Sequence, residues 1–424
     1  MSEPPESPPG TAFPRMFLVR QEFPHAPPLD LPALVRKELA GLRPRGRVAV
    51  AVGSRGIANL ERIVAAVLET LRDAGAAPFI IPAMGSHGGA TPEGQKALLA
   101  EYGITEERLG VPIRASMETD PLGACAEGFP VHVSREALGA DGILVVNRVK
   151  PHTDFAGRIG SGILKMLAIG LGKEAGARTV HAATLRVGHE RAIRSAARLI
   201  LSRAPVLGGL AILENQRHQT VHLEFVPPGS IESREEELHA EAWRLMPRLP
   251  ADEIDLLIVD RIGKDVSGAG MDPNITGRGL PEFFTPPPDV PRIRRLFVRD
   301  LTPGSHGNGT GAGVADFATT RLVRAIDLRT TYTNALTAIS IAFAKIPIHF
   351  DTDREAVLQA LRTATDAAPS RARVVRIRDT LSLETLEISE SCLEALRDRR
   401  NLTILRGPSE MEFDDSGNLP PLEG

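Results

Sequence analysis

Short apolar runs alternate with amphipathic stretches over the first part of the chain. RVAVAVG (47–53), PFIIPA (78–83) and GILVVN (142–147) are short and rich in apolar residues, and after the first run apolar residues recur every three or four positions (60–71). The short runs predict buried strands, and the longer period predicts a helix. Because parallel strands need crossovers, this order predicts a mostly parallel sheet covered by helices.

The pattern starts again after residue 250. IDLLIV (254–259) and RLFV (295–298) predict strands, and 332–345 and 354–363 predict helices. The polar, charged stretch around 226–252 separates the two blocks. We therefore expect an α/β protein of two domains, each a mostly parallel sheet covered by helices. The predicted limits are a disordered tail at 1–14, an N-terminal domain at 15–250 completed by 395–424, and a C-terminal domain at 251–394, with a loose chain end after residue 407.

Composition narrows the function classes. The 424 residues carry a net charge of −3 without a Lys/Arg-rich run, which argues against a nucleic-acid or anionic-membrane partner. Two cysteines are too few for a disulfide scaffold or a cysteine metal cluster. The first residues are acidic and rich in proline where a signal peptide needs basic and then apolar residues, and no apolar run approaches the ~20 residues of a membrane span. A cytoplasmic enzyme acting on a small molecule is the expectation.

Polar side chains follow three of the predicted strands. Ser54 and Arg55 come after the first, His87 after the second and His152 after the third. Ligands of such sheets bind beyond the carboxyl ends of the strands, so we expect these side chains at one edge. An imidazole can accept and return a proton near neutral pH, which suits His87 and His152 to general acid–base catalysis. The alternative for both is a purely structural role in the loop.

The stretch KPHTDFAGRIGSGILKMLAIGLGK (150–173) is the richest in candidate chemistry. Gly160 and Gly162 would let the backbone approach a ligand, although the stretch is not a Walker A loop. Lys165 lies in an apolar run and is either a covalent anchor or a lysine whose stem lies on an apolar helix face. His181 is a possible metal ligand. The sequence assigns no role to His189 or His306.

Together these motifs resemble the nickel-pincer-nucleotide-dependent 2-hydroxyacid racemases and epimerases, the lactate racemase family. The similarity rests on Ser54-Arg55, Gly85-Ser86-His87, Pro151-His152, Lys165 with Gly170, His181, and Gly263-Lys264-Asp265. The resemblance implies an N-terminal cofactor-binding domain and a C-terminal domain that closes over the substrate, with the active site in the cleft between them.

The resemblance also implies an activity and a set of roles. The enzyme would be a nickel-dependent isomerase that inverts C2 of a 2-hydroxyacid by proton-coupled hydride transfer, through a 2-keto acid. The cofactor would be nickel pyridinium-3-thioamide-5-thiocarboxylic acid mononucleotide, tethered at Lys165 and supplied by its biosynthetic enzymes as partners during maturation. The implied residues are His87 and His152 for catalysis, Lys165, Ser54, Arg55, Gly160, Ser161 and Gly162 for the cofactor, Arg55, Arg158, Lys264, Asp265, Asn274 and Arg278 for the substrate, and His181 for nickel.

The substrate and two other function classes stay open. Residues 267–278 do not follow the substrate loop of the lactate enzyme, so a larger or dicarboxylic hydroxyacid, such as malate or a sugar acid, is expected in place of lactate. One alternative is a nicotinamide-dependent 2-hydroxyacid dehydrogenase, although GSRG (53–56) lacks the Gly-x-Gly-x-x-Gly spacing. The other is a non-catalytic nucleotide-binding protein, which has no need of Lys165 in an apolar run. The oligomeric state is not predicted.

Overall fold

The computed structural model describes residues 13–53, 56–396 and 401–422, which form two compact units. The N-terminal unit contains the described residues of 24–152 and 156–246. The C-terminal unit contains the described residues before Pro24, residues 153–155 and the described residues from Pro247 onward. None of the helices in these described ranges is long and apolar enough to cross a membrane.

The elements alternate between strand and helix along much of the chain. The strands are β1 (Arg15–Gln21), β2 (Arg47–Val52), β3 (Ala77–Pro82), β4 (Thr119–Ala124), β5 (Pro130–Ser134), β6 (Gly142–Arg148), β7 (Val206–Glu214), β8 (Thr220–Val226), β9 (Glu253–Ile262), β10 (Arg292–Leu301), β11 (Phe317–Thr319), β12 (Ile348–Phe350), β13 (Val374–Ile377), β14 (Thr385–Ser389) and β15 (Leu402–Glu410). The helices are α1 (Leu31–Leu39), α2 (Leu60–Asp73), α3 (Pro92–Glu101), α4 (Glu106–Leu109), α5 (Arg135–Leu138), α6 (Ile163–Lys165), α7 (Lys173–Val187), α8 (His189–Arg203), α9 (Ile231–Arg244), α10 (Pro273–Thr276), α11 (Thr320–Ala325), α12 (Leu328–Thr337), α13 (Asp353–Ala364) and α14 (Glu390–Glu394).

The N-terminal unit is built on a five-stranded sheet in the order β3-β2-β6-β7-β8. The first three pairings are parallel and the last is antiparallel. The apolar period predicted on α2 is confirmed, because Leu60, Ile63, Val64, Val67, Leu68 and Leu71 are all buried. Thr91 caps α3 by accepting the Gly94 N–H at 3.1 Å, and Pro92 occupies the first helical position. Asn59 precedes α2 without a side-chain cap and instead donates to Thr220 Oγ1 at 3.0 Å.

The C-terminal unit is built on an eight-stranded sheet in the order β12-β11-β10-β9-β13-β14-β1-β15. The strands from β12 to β13 run parallel, and the remaining pairings are antiparallel. The predicted fold class, α/β with mostly parallel sheets covered by helices, is confirmed.

A buried network of charges lies on the sheet of the C-terminal unit. Arg376 is 2% exposed and donates two hydrogen bonds of 2.8 Å to the Asp260 carboxylate. Arg299 pairs with the same carboxylate at 2.9 Å and donates from Nε to Asp353 at 2.8 Å. Each buried charge therefore has a hydrogen-bonded partner of opposite sign, which offsets the cost of removing it from water.

The compact units divide the chain differently from the predicted domains at both ends. β1 pairs with β14 and with β15, so residues 15–23 and 401–422 belong to the C-terminal unit. The prediction assigned both segments to the N-terminal domain. The N-terminal unit ends at Met246, within α9's connection to β9, where the prediction placed the limit at 250. Strand pairing between segments so far apart in sequence leaves no local pattern to predict it from.

The chain end and one helix also differ from expectation. The prediction of a loose end after residue 407 is wrong, because β15 extends to Glu410 and Leu419 is buried in the core cluster of the C-terminal unit. Of the predicted disordered tail, residues 1–12 lie outside the described residues. The helix predicted at 332–345 ends at Thr337, since Ile339 adopts a left-handed φ of 53° and a 3₁₀ turn follows at Ile341–Ala344.

Candidate active site

Three strand ends of the N-terminal unit pack on one short segment, residues 163–170. This segment combines α6 with a π-helix, Met166–Gly170. Gly53 follows β2, and a Cβ there would lie 3.3 Å from the Met166 sulfur. Gly85 follows β3 and donates its N–H to the Gly170 carbonyl at 3.2 Å. Asn147, in β6, donates from Nδ2 to the Gly162 carbonyl at 3.1 Å, just before the segment begins. A π-helix inside a helical segment is often found at functional sites.

Lys165 and His152 meet on this segment. Lys165 is half-buried at the end of α6, and its Nζ is in hydrogen-bond contact with His152 Nε2. The two residues lie 13 positions apart, and two hydrogen bonds of 2.9 Å between the backbones of Lys150 and Ser161 close the loop that contains His152. The structure therefore brings a predicted catalytic histidine against the predicted anchor lysine.

The glycines of this loop are required by protein contacts. A Cβ at Gly160 would lie 2.5 Å from the Lys150 carbonyl and 2.9 Å from His239 Nε2. A Cβ at Gly162 would lie 2.4 Å from Glu235 Oε1. The sequence suggested that these glycines admit a ligand, whereas the structure fills the space beside both α-carbons with protein atoms.

Helix α9 supplies two buried polar side chains beneath the loop. Glu235 accepts the Leu164 N–H at 2.9 Å, and its Oε1 has no hydrogen-bond partner among the described residues. Burial raises the pKa of the Glu235 carboxyl to about 7, although the hydrogen bonds that it accepts from backbone N–H groups lower the pKa. Burial lowers the pKa of His239, one turn later, to about 4. Neither residue was predicted as part of the site, because α9 lies in the polar stretch that marks the predicted domain boundary.

The loop that carries His87 is held by a second buried polar pair. Gln95 of α3 donates from Nε2 to the Gly85 carbonyl at 2.9 Å and to the His87 carbonyl at 3.4 Å. Lys173 donates from Nζ to Gln95 Oε1 at 3.1 Å. Neither residue was predicted as part of the site, since a single buried lysine or glutamine in a helix gives no signal in the sequence.

The other predicted site residues of the N-terminal unit are Ser54, Arg55, Arg158 and His181. Ser54 and Arg55 lie outside the described residues. Arg158 is ion-paired with Glu236, although 78% of its side chain is exposed. His181 is half-buried on α7, and its carbonyl accepts the Thr184 hydroxyl at 2.7 Å.

The predicted substrate residues of the C-terminal unit follow β9. Lys264 donates from Nζ to the Gly268 carbonyl at 2.6 Å, and Asp265 accepts a hydrogen bond from the Thr302 hydroxyl. Asn274 is buried in α10. Arg278 donates from Nη2 to Asp316 at 3.0 Å and to two backbone carbonyls, all within its own unit. The predicted location of the site, in a cleft between the domains, stays a prediction.

Among the described residues, no group of three or more His, Cys, Asp or Glu side chains is arranged to hold a metal ion. The nickel ligand implied by the resemblance, His181, stays a prediction.

Residues 31–192 match the family model of the lactate racemase N-terminal domain. This segment is therefore similar to the N-terminal domain of lactate racemases. The matched segment contains His87, His152, Lys165 and His181.

The chain is similar to the lactate racemase apoprotein from Thermoanaerobacterium thermosaccharolyticum, with 12% sequence identity and a TM-score of 0.48 over 83% of this chain and 92% of that chain. The comparison with curated protein sequences finds no match.

Proposed function

We propose that this protein is a nickel-dependent racemase or epimerase that inverts C2 of a 2-hydroxyacid. The contact between Lys165 and His152, on the segment where the strand ends converge, is the observation that carries the proposal. It lies inside the range that matches the lactate racemase N-terminal domain. Neither a structural lysine nor a nucleotide-binding module needs an amine held against an imidazole at this edge of a sheet.

The residues of the N-terminal unit fit a tethered nickel-pincer nucleotide. Lys165 supplies a half-buried primary amine, the group that such a tether requires. His181 supplies an imidazole, a ligand that suits nickel. When bound, the cofactor supplies a pyridinium carbon that accepts and returns hydride, with nickel tuning its electronics.

The histidines perform the acid–base part of the proposed reaction. The loops of His87 and His152 contact different ends of the segment 163–170, through Gly85 and through Lys165 respectively. One histidine removes the hydroxyl proton of the substrate as C2 loses hydride. When hydride returns to the opposite face, the other histidine, initially protonated, gives its proton to the product oxygen, and both exchange protons with solvent between turnovers. Two histidines on opposite faces of the planar 2-keto acid allow each stereoisomer its own base. Arg55 is proposed to hold the substrate carboxylate by a bidentate pair.

Single-turnover measurements on the matured protein test the roles of the histidines. Each pure isomer is mixed with excess His87→Gln or His152→Gln protein, and the 2-keto acid formed is measured by chemical quench. Each variant should lose roughly 10²-fold in rate with one isomer, the usual contribution of a positioned base, and the two variants should prefer opposite isomers. His349→Gln, at an exposed histidine of the C-terminal unit, is the matched control. Equal loss with both isomers in both variants would contradict the two-base assignment, and turnover that depends on added NAD would indicate a dehydrogenase.

The proposed substrate is a larger or dicarboxylic 2-hydroxyacid. Arg158 is paired with Glu236, yet its guanidinium has five N–H donors and most of its side chain is exposed. It can therefore bind a second carboxylate or a hydroxyl group of a substrate without leaving Glu236. With malate and a sugar acid as substrates, Arg158→Ala should lower kcat/KM, whereas lactate turnover should change little.

The control for this measurement is Arg191→Ala, which removes another exposed arginine of the same unit that pairs with a glutamate, Glu127. Lactate as the best substrate, with Arg158→Ala indistinguishable from Arg191→Ala, is the result that would refute this specificity.

A further inference from the structure

Lys173 is a fully buried lysine in a strained backbone conformation. It begins α7 with 0% exposure and a left-handed φ of 54°, which side chains other than glycine seldom adopt. Its Nζ donates to the Pro82 carbonyl, at the end of β3, at 2.5 Å and to Gln95 Oε1 at 3.1 Å. Burial lowers the pKa of this ammonium to about 8. A buried cation and a strained backbone are both costly, and such features cluster at functional sites.

Lys173 fixes the orientation of the Gln95 amide. A lysine ammonium only donates hydrogen bonds, so the oxygen of the amide must face it. The NH₂ group then faces the opposite way, where it donates to the carbonyls of Gly85 and His87 at 2.9 and 3.4 Å. The buried lysine thus acts on the backbone of the His87 loop through one side chain.

The same loop is docked on the first turn of α3. A Cβ at Gly88 would lie 2.5 Å from the Gly94 carbonyl carbon, and a Cβ at Gly94 would lie 1.9 Å from the Gly88 oxygen. Thr91 also donates its hydroxyl to the Gly88 carbonyl at 3.1 Å. The backbone on both sides of His87 is therefore held, before it by Gln95 and after it by the contact with Gly94.

We propose that Lys173 and Gln95 are positioning residues, which hold the backbone of Gly85–His87 and thereby place the His87 imidazole for proton transfer. The inference rests on the proposed function for the role of His87. The holding of the loop, however, is a property of the protein without cofactor and is tested separately.

The decisive variant is Gln95→Glu. A glutamate still accepts from Lys173, now as an ion pair, but its carboxylate cannot donate to the carbonyls of Gly85 and His87. Lys173→Met is the second variant, and it removes the group that orients the amide. Leu99→Ala is the matched control, because Leu99 is a fully buried residue of the same helix that belongs to the apolar core.

Hydrogen exchange of residues 85–90 in the protein without cofactor is the first measurement, with β6 as the internal reference. Exchange in this loop should rise about tenfold or more in Gln95→Glu and Lys173→Met relative to β6, as expected when anchoring hydrogen bonds are lost. Leu99→Ala should show no such selective increase. If Gln95→Glu is folded and its loop exchanges as in the wild type, the proposal is overturned, whether or not Lys173→Met folds.

The second measurement is turnover by the matured variants. Loss of positioning should lower kcat with little change in KM, since substrate contacts are unaltered. Increased loop exchange with unchanged kcat would overturn the positioning role. If His87→Gln itself leaves turnover unchanged, the base assignment fails, while the exchange result still decides whether Lys173 and Gln95 hold the loop.

Discussion

Glu235 and His239 lie one turn apart on α9, and replacing either with glutamine should change the pH dependence of stability in opposite directions. In the folded protein, burial raises the pKa of Glu235 from 4.5 to about 7 and lowers that of His239 from 6.5 to about 4. Both groups are therefore favoured in their neutral forms by folding. The carboxyl loses its proton on going to the ionised form, whereas the imidazole gains one, so their linkage to pH has opposite signs.

The magnitude follows from the two pKa shifts. The contribution of Glu235 to the free energy of unfolding is complete below pH 4.5 and is lost as the pH rises to about 7. The contribution of His239 is complete above pH 6.5 and is lost as the pH falls to about 4. At 1.36 kcal/mol per pKa unit, each amounts to about 3 kcal/mol. In the wild type the two slopes oppose each other between pH 4.5 and 6.5 and nearly cancel.

Each single variant should reveal the slope of the remaining group. Glu235→Gln should lose about 3 kcal/mol of unfolding free energy on acidification from pH 6.5 to 4, because only His239 titrates. His239→Gln should lose a similar amount as the pH rises from 4.5 to 7. The double variant is the control and should match the flat profile of the wild type between pH 4.5 and 6.5.

Urea unfolding followed by tryptophan fluorescence measures these profiles. Trp243 is the only tryptophan of the sequence, and its ring lies 6.3 Å from that of His239 in an edge-on arrangement. Its emission therefore reports on α9 and the unit around it. Slopes of the same sign in the two single variants, or slopes equal to that of the wild type, would refute the assignment of the pKa shifts to burial of these two groups.

Three further predictions concern the anchor, the C-terminal unit and the His87 loop. Lys165→Ala should remove the mass adduct of the matured protein and leave its melting temperature nearly unchanged, and an adduct that persists by intact mass would contradict the tether. Arg376→Met should lower the unfolding free energy of the C-terminal unit by about 3 kcal/mol, since Asp260 loses one of its buried partners, and hydrogen exchange in β9 and β13 measures this. Gly88→Ala should speed exchange of residues 85–90, because its Cβ would lie 2.5 Å from the Gly94 carbonyl carbon, and an unchanged rate would show that the loop can move aside.

The local elements of the N-terminal unit follow from sequence patterns. The runs at 47–53, 78–83 and 142–147 form β2, β3 and β6, and the apolar period of α2 faces the core. Periodicity predicts these elements because each pattern lies within a few residues of the element that it forms. The pairing of β15 with β1 was not predicted, because these two strands come from opposite ends of the chain.

The same distinction holds for the candidate site. The sequence by itself determined that His87, His152 and Lys165 follow predicted strands or lie in an apolar run, which are local properties. Only the tertiary structure decided that Lys165 contacts His152, that Glu235 lies under α6 and that Lys173 orients Gln95. Glu235 and Leu164 are 71 positions apart, and Lys173 and Gln95 are 78 apart. A buried polar group requires a partner, but its own position in the sequence does not say which remote segment the fold will bring to it.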